Sequence, residues 1–161
     1  MVKHPPDRSF GHMMREVNGI LQRMLRERLK KYRVSSAQWY ALRVLWIKDG
    51  LTQAEIAQRA GVAPPQIVGG LRKLVKEGLV VRDKHPSDQR KNVIFLTKRG
   101  RQLETPCLEE AIIANQIALA GIPAEDVKTC MRLLHRVKAN LNFRSHDAVA
   151  RRNATGVSRR S

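Results

Sequence analysis

The chain has 161 residues, which is enough for one domain of ordinary core size or for one domain with an appended interface. Lysine and arginine outnumber the acidic residues 31 to 14, and the formal net charge of +17 favours a polyanionic partner, with nucleic acid the first candidate. An anionic membrane surface or an acidic protein would match the same charge. The chain has no apolar run long enough to span a bilayer and no signal-peptide core, so no membrane partner is predicted and a cytoplasmic location is expected.

The first two predicted elements are helices. Apolar residues recur every three or four positions from Phe10 to Leu29, with arginine and glutamate between them, which predicts a long amphipathic helix. Ser35 or Ser36 can cap a second helix that runs through Trp46. The pair Asp49-Gly50 then indicates its end, because glycine is favoured just after a helix C-terminus.

The next segment has the spacing of a helix-turn-helix. Thr52 and Glu55 form a potential capping box, in which both side chains bind amides at the start of a helix. Gly61 permits the tight turn of positive φ that reverses the chain, and the small side chain of Ala57 lets two helices cross closely. The second helix of the motif is predicted to bury Val62, Ile67, Leu71 and Leu74 and to stop at Gly78. A motif of this kind places its second helix in the major groove of DNA.

A β-hairpin is predicted after this motif. Leu79–Arg82 and Val93–Leu96 are short segments rich in branched residues, which favour strands. Between them, residues 84–91 contain Pro86, Ser87 and Asp88, so the hairpin is expected to have a long loop.

Two helices are predicted beyond the hairpin. Thr97 can cap a helix that reaches roughly to Ala120, with a kink near residues 102–105 caused by Pro106. Gly121 breaks the chain, and Pro123 opens a final helix. Its apolar face is predicted to contain Val127, Met131, Leu134, Val137 and Leu141. Residues 144–161 have no apolar periodicity and five arginines against one aspartate, so this tail is expected to be disordered, either sliding along phosphates or remaining a solvated end.

Four strings of residues, in this order, resemble the MarR family of bacterial transcription regulators. They are Ser36–Trp39 followed by Leu42 and Leu45, then Leu51–Ala57, then Leu74–Val80, and finally Asp88-Gln89-Arg90 followed by Leu96-Thr97 and Gly100. The resemblance covers about residues 10–142 and rests on the order and spacing of the strings.

The resemblance implies a winged helix-turn-helix with a helical dimerisation layer, a fold that is mainly α with a small β-hairpin wing. Its parts would be an N-terminal dimerisation helix (1–34), a DNA-binding domain (35–97), C-terminal dimerisation helices (98–143) and the basic tail (144–161). It also implies a homodimer, and many relatives are repressors that small aromatic or acyl ligands release from DNA. Apart from the resemblance, the terminal helices have long apolar faces, which a second copy would bury.

The expected DNA contacts lie on the second helix of the motif and on the hairpin. Early residues of such a helix meet base edges, and Gln66 either binds adenine through two hydrogen bonds or stays a solvated side chain. Arg90 either enters a narrow A·T minor groove or belongs to a solvated basic turn. Asp88 is expected to orient a neighbouring arginine, because phosphate repels a carboxylate. The expected DNA-binding residues are Pro65, Gln66, Gly69, Arg72, Lys73, Lys84, His85, Arg90 and Lys91.

Two adjacent glycines, Gly69 and Gly70, interrupt the predicted reading helix. Compared with two alanines they cost about 2 kcal/mol in helix propensity. Either the backbone approaches DNA or a neighbouring helix closely here, or the chain tolerates a weak helix. In the family the position of Gly69 is often an arginine that grips phosphate, and that of Arg72 is often aspartate. The target sequence is therefore expected to differ, with Arg72 and Lys73 supplying the missing charge.

A ligand site is predicted on one face of the second helix. Trp39, Arg43 and Trp46 share this face by their spacing, and the resemblance places it beside the family's ligand pocket. Arg43 can pair with a ligand carboxylate while Trp39 stacks on a ring. The alternative is an ordinary hydrophobic core with a surface arginine. The expected ligand-binding residues are Met13, Met14, Val17, Trp39 and Arg43.

No enzyme, metal site or cofactor is predicted. The chain lacks a nucleophile with a base and an orienting group, a phosphate-cradling loop and a metal-ligand spacing among its histidines. Cys107 and Cys130 are far apart, and nothing local promises both the exposure and the lowered pKa of a redox sensor.

The sequence favours a homodimeric, sequence-specific transcription regulator of double-stranded DNA with a pseudo-palindromic operator, a repressor released by a small-molecule effector. The alternative is a weakly selective architectural DNA-binding protein driven by the net charge of +17.

Overall fold

The structure, a computed structural model, describes residues 8–85 and 87–156, with side chains up to residue 142. Its helices are α1 (Phe10–Leu29), α2 (Ser36–Ile47), α3 (Gln53–Ala60), α4 (Pro64–Lys76), α5 (Lys98–Gln102), α6 (Glu104–Ala118) and α7 (Ala124–Gly156). Its strands are β1 (Leu51–Thr52), β2 (Val80–His85) and β3 (Asp88–Leu96). The expectation of a mainly α fold with a small β wing is confirmed. Contacts divide the chain into two units, Met1–Ala118 and Leu119–Ser161.

The predicted helix caps are confirmed in atomic detail. Ser35 caps α2 and forms a capping box with Gln38, and Thr52 forms the corresponding box with Glu55 at the start of α3. Gly61 has a φ of 66° and ends α3, so the turn of the helix-turn-helix uses a backbone conformation that other residues rarely adopt. These starts and stops depend on residues three or four positions apart, which is why the sequence shows them.

Helix α2 lies at the centre of the first unit and packs against α3, α4 and α6. The core around it is mainly aliphatic, with Trp39 buried in it and Tyr32, Tyr40 and Trp46 packed against it half-buried. Its largest fully buried side chains include Leu29, Leu42, Leu45, Ile56, Ile67, Leu71, Leu74 and Ile94. Because α2 touches the helix-turn-helix on one side and α6 on another, it connects the two halves of this unit.

The start of α2 packs closely against the middle and the end of α4. A Cβ atom added to Gly70 would lie 2.5 Å from the backbone oxygen of Ala37, so only glycine fits at this helix crossing. At the end of α4, Gln38 Nε2 donates a hydrogen bond to Glu77 Oε2 over 2.6 Å. Gln38 is itself buried, and its amide oxygen completes the capping box of Ser35. Two separate contacts therefore hold α4 against the first turn of α2.

The wing is a three-stranded antiparallel sheet in the order β1-β3-β2. The short strand β1, which was not predicted, pairs with Val93 and Ile94 of β3. The prediction of short strands and a long loop over residues 84–91 is wrong, because β2 extends to His85 and β3 begins at Asp88. Both arms are solvated, so their backbone ladder forms without the apolar alternation that signals a half-buried strand. Pro86 lies outside the described residues.

The helix predicted from Thr97 to Ala120 is broken into α5 and α6. Leu103 separates them, within the interval where a kink was expected. Proline has no amide hydrogen, so Pro106 cannot donate to the carbonyl of Gln102. The next residue, Cys107, donates its backbone N–H to Leu103 O over 3.1 Å.

The second unit consists of a turn followed by α7. The turn is closed by a hydrogen bond from Ile122 N to Leu119 O. The expected end of this helix near Phe143 is wrong, because α7 continues to Gly156. Residues 144–155 contain neither proline nor glycine, which explains why the helix does not stop where its apolar periodicity does. The arginines at positions 159 and 160 and the polar N-terminal residues 1–7 lie outside the described residues.

No helix within the described ranges combines the length and the apolar composition of a membrane-spanning segment.

A buried carboxylate joins α1 to α6. Glu110 of α6 is 5% exposed, and its two oxygens lie 2.8 Å from Arg28 Nε and 2.5 Å from Lys31 Nζ. The hydrogen bond from Lys31 and the charges of both cations hold the pKa of Glu110 below its usual value. Charged side chains are seldom buried unless they are paired, and here both partners come from the end of the first helix and the turn that follows it.

We expect acid to weaken this junction. Because the pKa of Glu110 is lowered, its ion pairs contribute fully to the free energy of unfolding at pH values above the usual carboxyl pKa of 4.5. That contribution is lost as the pH falls through the lower pKa of the folded protein. The variant Glu110→Gln should therefore lower the free energy of unfolding near neutral pH, and by less and less as the pH falls below that value.

Denaturant unfolding at a series of pH values measures this difference. Glu125→Gln is the control, because this carboxylate lies exposed on α7 beside Lys128. A Glu110→Gln effect that does not change between neutral and acidic pH would contradict the expectation.

Candidate nucleic-acid interface

One face of α4 is exposed, and it contains the residues expected to read DNA. Two prolines occupy the first two positions of the helix, where amides have no partner within the helix. Ile67, Gly70, Leu71 and Leu74 form the opposite, buried face. The exposed residues of α4 include Pro65, Gln66, Gly69, Arg72 and Lys73. This solvent-facing surface offers an amide and two cations. An amide can hydrogen-bond to base edges, and cations bind phosphates.

The two adjacent glycines of α4 have different surroundings. Gly70 is buried against the backbone of Ala37, so the close approach expected of one glycine is to a neighbouring helix. Gly69 is exposed, and no atom lies within 4 Å of the Cβ position it lacks. Nothing in the first unit therefore requires glycine at position 69, and the absence of a side chain leaves the backbone of α4 open to a partner.

The wing projects cations along both of its arms. Lys84 pairs with Asn92, and the next residue, His85, pairs with Asp88, so Gln89–Lys91 form a bulge in β3. Bulges of this kind redirect side chains at the edge of a sheet. Arg90 lies in the bulge with 93% of its side chain exposed, and Lys91 beside it is 62% exposed.

Asp88 organises the bulge. Its carboxylate accepts a hydrogen bond from the backbone N–H of Arg90 over 3.2 Å and lies 3.4 Å from Arg90 Nε. Lys91 Nζ is 3.5 Å from the other oxygen. The backbone N–H of Arg90 is the largest cause of the lowered pKa of Asp88, so this carboxylate stays ionised and orients the arginine. His85 has a local role, since Ser87 N donates to its Nδ1 atom over 3.2 Å.

A cleft of about 310 Å³ lies between α1, α2 and α6, within the first unit. We call it the α1–α2–α6 cleft. Trp39 and Arg43, two of the residues expected to bind a ligand, line it, and the guanidinium of Arg43 lies 5.6 Å from the centre of the Trp39 ring. Burial raises the pKa of Tyr40, another lining residue, so its hydroxyl remains a hydrogen-bond donor. A cation, an aromatic face and a hydroxyl donor together suit an aromatic carboxylate.

Three of the expected ligand residues are elsewhere. Met13, Met14 and Val17 do not line the cleft, and they are 41%, 41% and 48% exposed on α1. Trp46 also lies outside the lining, and its indole N–H donates to the carbonyl oxygen of Gly100 over 3.0 Å. These side chains share helical spacing with the lining residues, but packing in three dimensions separates them.

Sequence reasoning missed most of the cleft lining. Asn18 and Gln22 are polar residues four positions apart on a helix face that also contains Leu21 and Leu25, and this mixture was an available signal. The small residues Ala111 and Ala114 were another signal, because they make room beside α6. The other lining residues not predicted are Tyr40, Ala60 and Asn115.

The two cysteines differ in environment. Cys107 is fully buried in α6, and burial, with a smaller contribution from the charge of Glu110, raises the pKa of its thiol to about 11. Its thiolate is therefore scarce at neutral pH, and the thiolate is the reactive form. Cys130 is exposed on α7.

Comparison with known proteins agrees with this geometry. The model of the MarR family matches residues 34–91, the segment from the start of α2 to the bulge of the wing. The chain is 30% identical over 119 residues to the homoprotocatechuate degradative operon repressor of Escherichia coli, a match that covers 74% of this chain and 80% of the relative. It is 31% identical over 156 residues to the HTH-type transcriptional regulator TcaR of Staphylococcus aureus (strain Newman), covering 89% and 100%.

Solved structures give the same result. CouR from Rhodococcus jostii RHA1, bound to p-coumaroyl-CoA, superimposes with a TM-score of 0.71 at 27% identity, covering 84% of this chain and 95% of CouR. Family model, sequence relatives and fold all agree with a winged helix-turn-helix of the MarR type. This chain belongs to the MarR family of DNA-binding transcription regulators.

Proposed function

We propose that this protein is a homodimeric repressor that binds a pseudo-palindromic operator in the cytoplasm and is released by a small aromatic or acyl ligand. The observation that carries the proposal is the position of α2. Trp39 and Arg43 of this helix line the α1–α2–α6 cleft, while Gln38, the residue before Trp39, binds Glu77 at the end of α4. A ligand that moves α2 therefore acts directly on the reading helix.

The size of the required movement is small. The backbone of Ala37 packs against Gly70 without room for a single methyl group, so a shift of the first turn of α2 cannot be absorbed at that crossing. In a dimer the two reading helices contact half-sites about one DNA turn apart, and a change in their spacing costs contacts at both. A ligand that binds the protein with shifted α2 more tightly than the DNA-binding form would lower the operator affinity. The reduction is set by the difference between the two ligand affinities.

The relatives support the ligand class. The Escherichia coli relative is a repressor of a homoprotocatechuate degradative operon, and CouR was solved with p-coumaroyl-CoA. Each name describes that protein alone. Arg43, Tyr40 and Trp39 offer this chain a matching anion and ring site.

The DNA contacts that we propose are those of the exposed face of α4 and of the wing. Gln66 reads a base in the major groove, and Arg72 and Lys73 bind phosphates beside it. Arg90 enters the minor groove, and Lys84, His85 and Lys91 contact the backbone around it. Asp88 holds Arg90 in place without touching DNA.

The second candidate is an architectural protein that coats DNA with little sequence preference. It is favoured by Gly69, which removes a side chain from the middle of the reading face, and by the net charge of +17. Binding of this kind depends on phosphate contacts and falls steeply with salt for every sequence.

Fluorescence anisotropy separates the two candidates. The DNA upstream of the coding region of this protein is titrated beside a scrambled duplex of equal length and composition, each at two salt concentrations. A preference of about a thousandfold or more near physiological salt supports the repressor, whereas equal affinities that fall together with salt support the architectural protein. A set of aromatic carboxylates and acyl thioesters is then added to the complex of the protein with the specific DNA. A compound that releases the wild-type protein from this DNA, but not the Arg43→Ala variant, would identify the α1–α2–α6 cleft as its binding site.

Removal of the wing arginine tests the minor-groove contact. We expect Arg90→Ala to weaken operator binding by about 1–2 kcal/mol, roughly 5- to 30-fold, and to reduce the preference for A·T-rich flanks. The side chain is 93% exposed, so the fold should not change. Lys128→Ala, which removes the same charge from α7, is the control. Equal affinities of the wild type and Arg90→Ala at moderate salt would contradict the wing assignment.

A further inference from the structure

A second cleft lies on another side of the first unit, where the turn after α1, the end of α4 and α5 meet. Its volume is about 410 Å³, within the roughly 300–1,000 Å³ range of small-molecule sites. We call it the Arg33 cleft. Its lining combines two guanidinium groups with aromatic and aliphatic surface. The lining residues include Tyr32, Arg33, Leu79, Arg99, Gln102 and Leu103.

The backbone at Arg33 is unusual. Among the described residues it is the one non-glycine residue with a positive φ, at 59°. Its N–H donates to Lys30 O over 2.9 Å, and Val34 N donates to Leu29 O, which is the hydrogen bonding that closes a helix C-terminus. Glycine is the residue favoured at this position, and a side chain there costs about 1–2 kcal/mol. The local fold therefore gains nothing from arginine, whose presence calls for another explanation.

The charges of the cleft are only partly paired. Arg99 Nη1 donates to the backbone oxygen of Glu77 over 3.1 Å, which holds this guanidinium at the wall. The side chain of Arg33 has no hydrogen-bond or ion-pair partner within residues 8–85 and 87–142. Glu77 also lines the cleft, but one of its carboxylate oxygens accepts the hydrogen bond from Gln38. Two guanidinium groups and one carboxylate leave a single positive charge for an occupant to balance.

We propose that the Arg33 cleft binds a small organic carboxylate with a flat apolar body. One guanidinium group binds a carboxylate through two parallel hydrogen bonds, and Arg33 supplies this group, with the charge of Arg99 in the same cleft. Leu79, Leu103 and the ring of Tyr32 cover the apolar body of the ligand. This site is distinct from the α1–α2–α6 cleft, since no residue lines both. It goes beyond the proposed function and does not depend on it.

Benzoate is the probe for this site, and benzamide is its neutral counterpart of the same shape. Each is titrated into the full-length protein and followed by two-dimensional amide NMR. We expect benzoate to cause saturable shifts of the Gln102 side-chain amide and of the Leu103 backbone amide, and benzamide to cause none. The indole N–H signal of Trp39 reports on the α1–α2–α6 cleft in the same spectra, so binding at the two sites is measured separately.

The decisive variant is Arg33→Gly. Glycine fits the backbone at position 33 better than arginine does, so the variant should fold with equal or greater thermal stability. It should nevertheless bind benzoate at Gln102 at least tenfold more weakly, because the guanidinium is gone. Arg43→Ala is the matched control, since it removes a guanidinium from the other cleft and should leave the Gln102 shifts unchanged.

Several results would overturn the proposal. They are the absence of saturable shifts at Gln102 in the wild type, equal shifts with benzamide, unchanged benzoate affinity of Arg33→Gly, or loss of the shifts in Arg43→Ala. A fall in DNA affinity of Arg33→Gly with benzoate binding unchanged would assign Arg33 to a DNA phosphate and would equally overturn it. Operator binding is assayed separately from benzoate binding. The test of the Arg33 cleft can therefore be interpreted even if the repressor proposal fails.

Discussion

Gly70→Ala is expected to lower the free energy of unfolding by about 2 kcal/mol, and Gly69→Ala to raise it by about 1 kcal/mol. The chemical change is the same at adjacent positions of α4. At Gly70 the added methyl group would meet the backbone oxygen of Ala37 at 2.5 Å, and a backbone atom cannot rotate away. At Gly69 the methyl group meets no atom within 4 Å, so the gain in helix propensity remains.

Denaturant unfolding of both variants at one protein concentration measures the two free energies, and operator binding is measured in parallel. We expect Gly70→Ala to lose specific DNA binding, because α4 is displaced from α2. Gly69→Ala resolves an alternative that the sequence leaves open. Weaker operator binding by this more stable variant would mean that DNA approaches the helix backbone, and unchanged binding would mean that the glycine is only a tolerated weakness. Equal stabilities of the two variants would contradict the assigned helix crossing.

The double variant Met13→Glu/Val17→Glu is expected to be monomeric and to bind the operator about 10²–10⁴-fold more weakly. These two residues belong to an exposed apolar stripe of α1, whose members at helical spacing are Phe10, Met13, Met14, Val17 and Ile20. Monomeric proteins rarely expose such a continuous apolar face, and in the proposed homodimer the second copy would cover it. In a dimer, binding of the first reading helix to its half-site raises the effective concentration of the second helix at the other half-site. A monomer lacks this gain in affinity.

Arg23→Glu is the control for this variant. It lies on the same helix, is exposed, and changes the net charge by the same amount as the double substitution. The Arg23→Glu variant should remain a dimer. Its DNA affinity should fall only by the salt-dependent contribution of the charge that was changed. Analytical ultracentrifugation gives the oligomeric state, and anisotropy gives the affinity. A double variant that sediments as a dimer with wild-type operator affinity would exclude α1 from the interface.

Different parts of the candidate site were predictable to different degrees. The exposed face of α4 was predictable because its helical period is local, and the expected residues from Pro65 to Lys73 are all exposed. A small part of the α1–α2–α6 cleft was predictable for the same reason, since Trp39 and Arg43 are one turn apart on α2. Most of the lining was not, because residues such as Asn18, Gln22 and Ala111 lie on two other helices, and no local period relates residues of different helices.

The sequence by itself determined the capped starts of α2 and α3, the turn at Gly61, the break near Pro106 and the basic surface. Each depends on a hydrogen bond or a steric restriction within about four residues. Only the tertiary structure decided which of two adjacent glycines is a helix crossing, that Glu110 is buried between two cations, and that the wing strands are long. It also decided that Met13 and Val17 face outward from the cleft. These properties arise where segments distant in the chain meet, and packing there depends on atoms that no single segment contains.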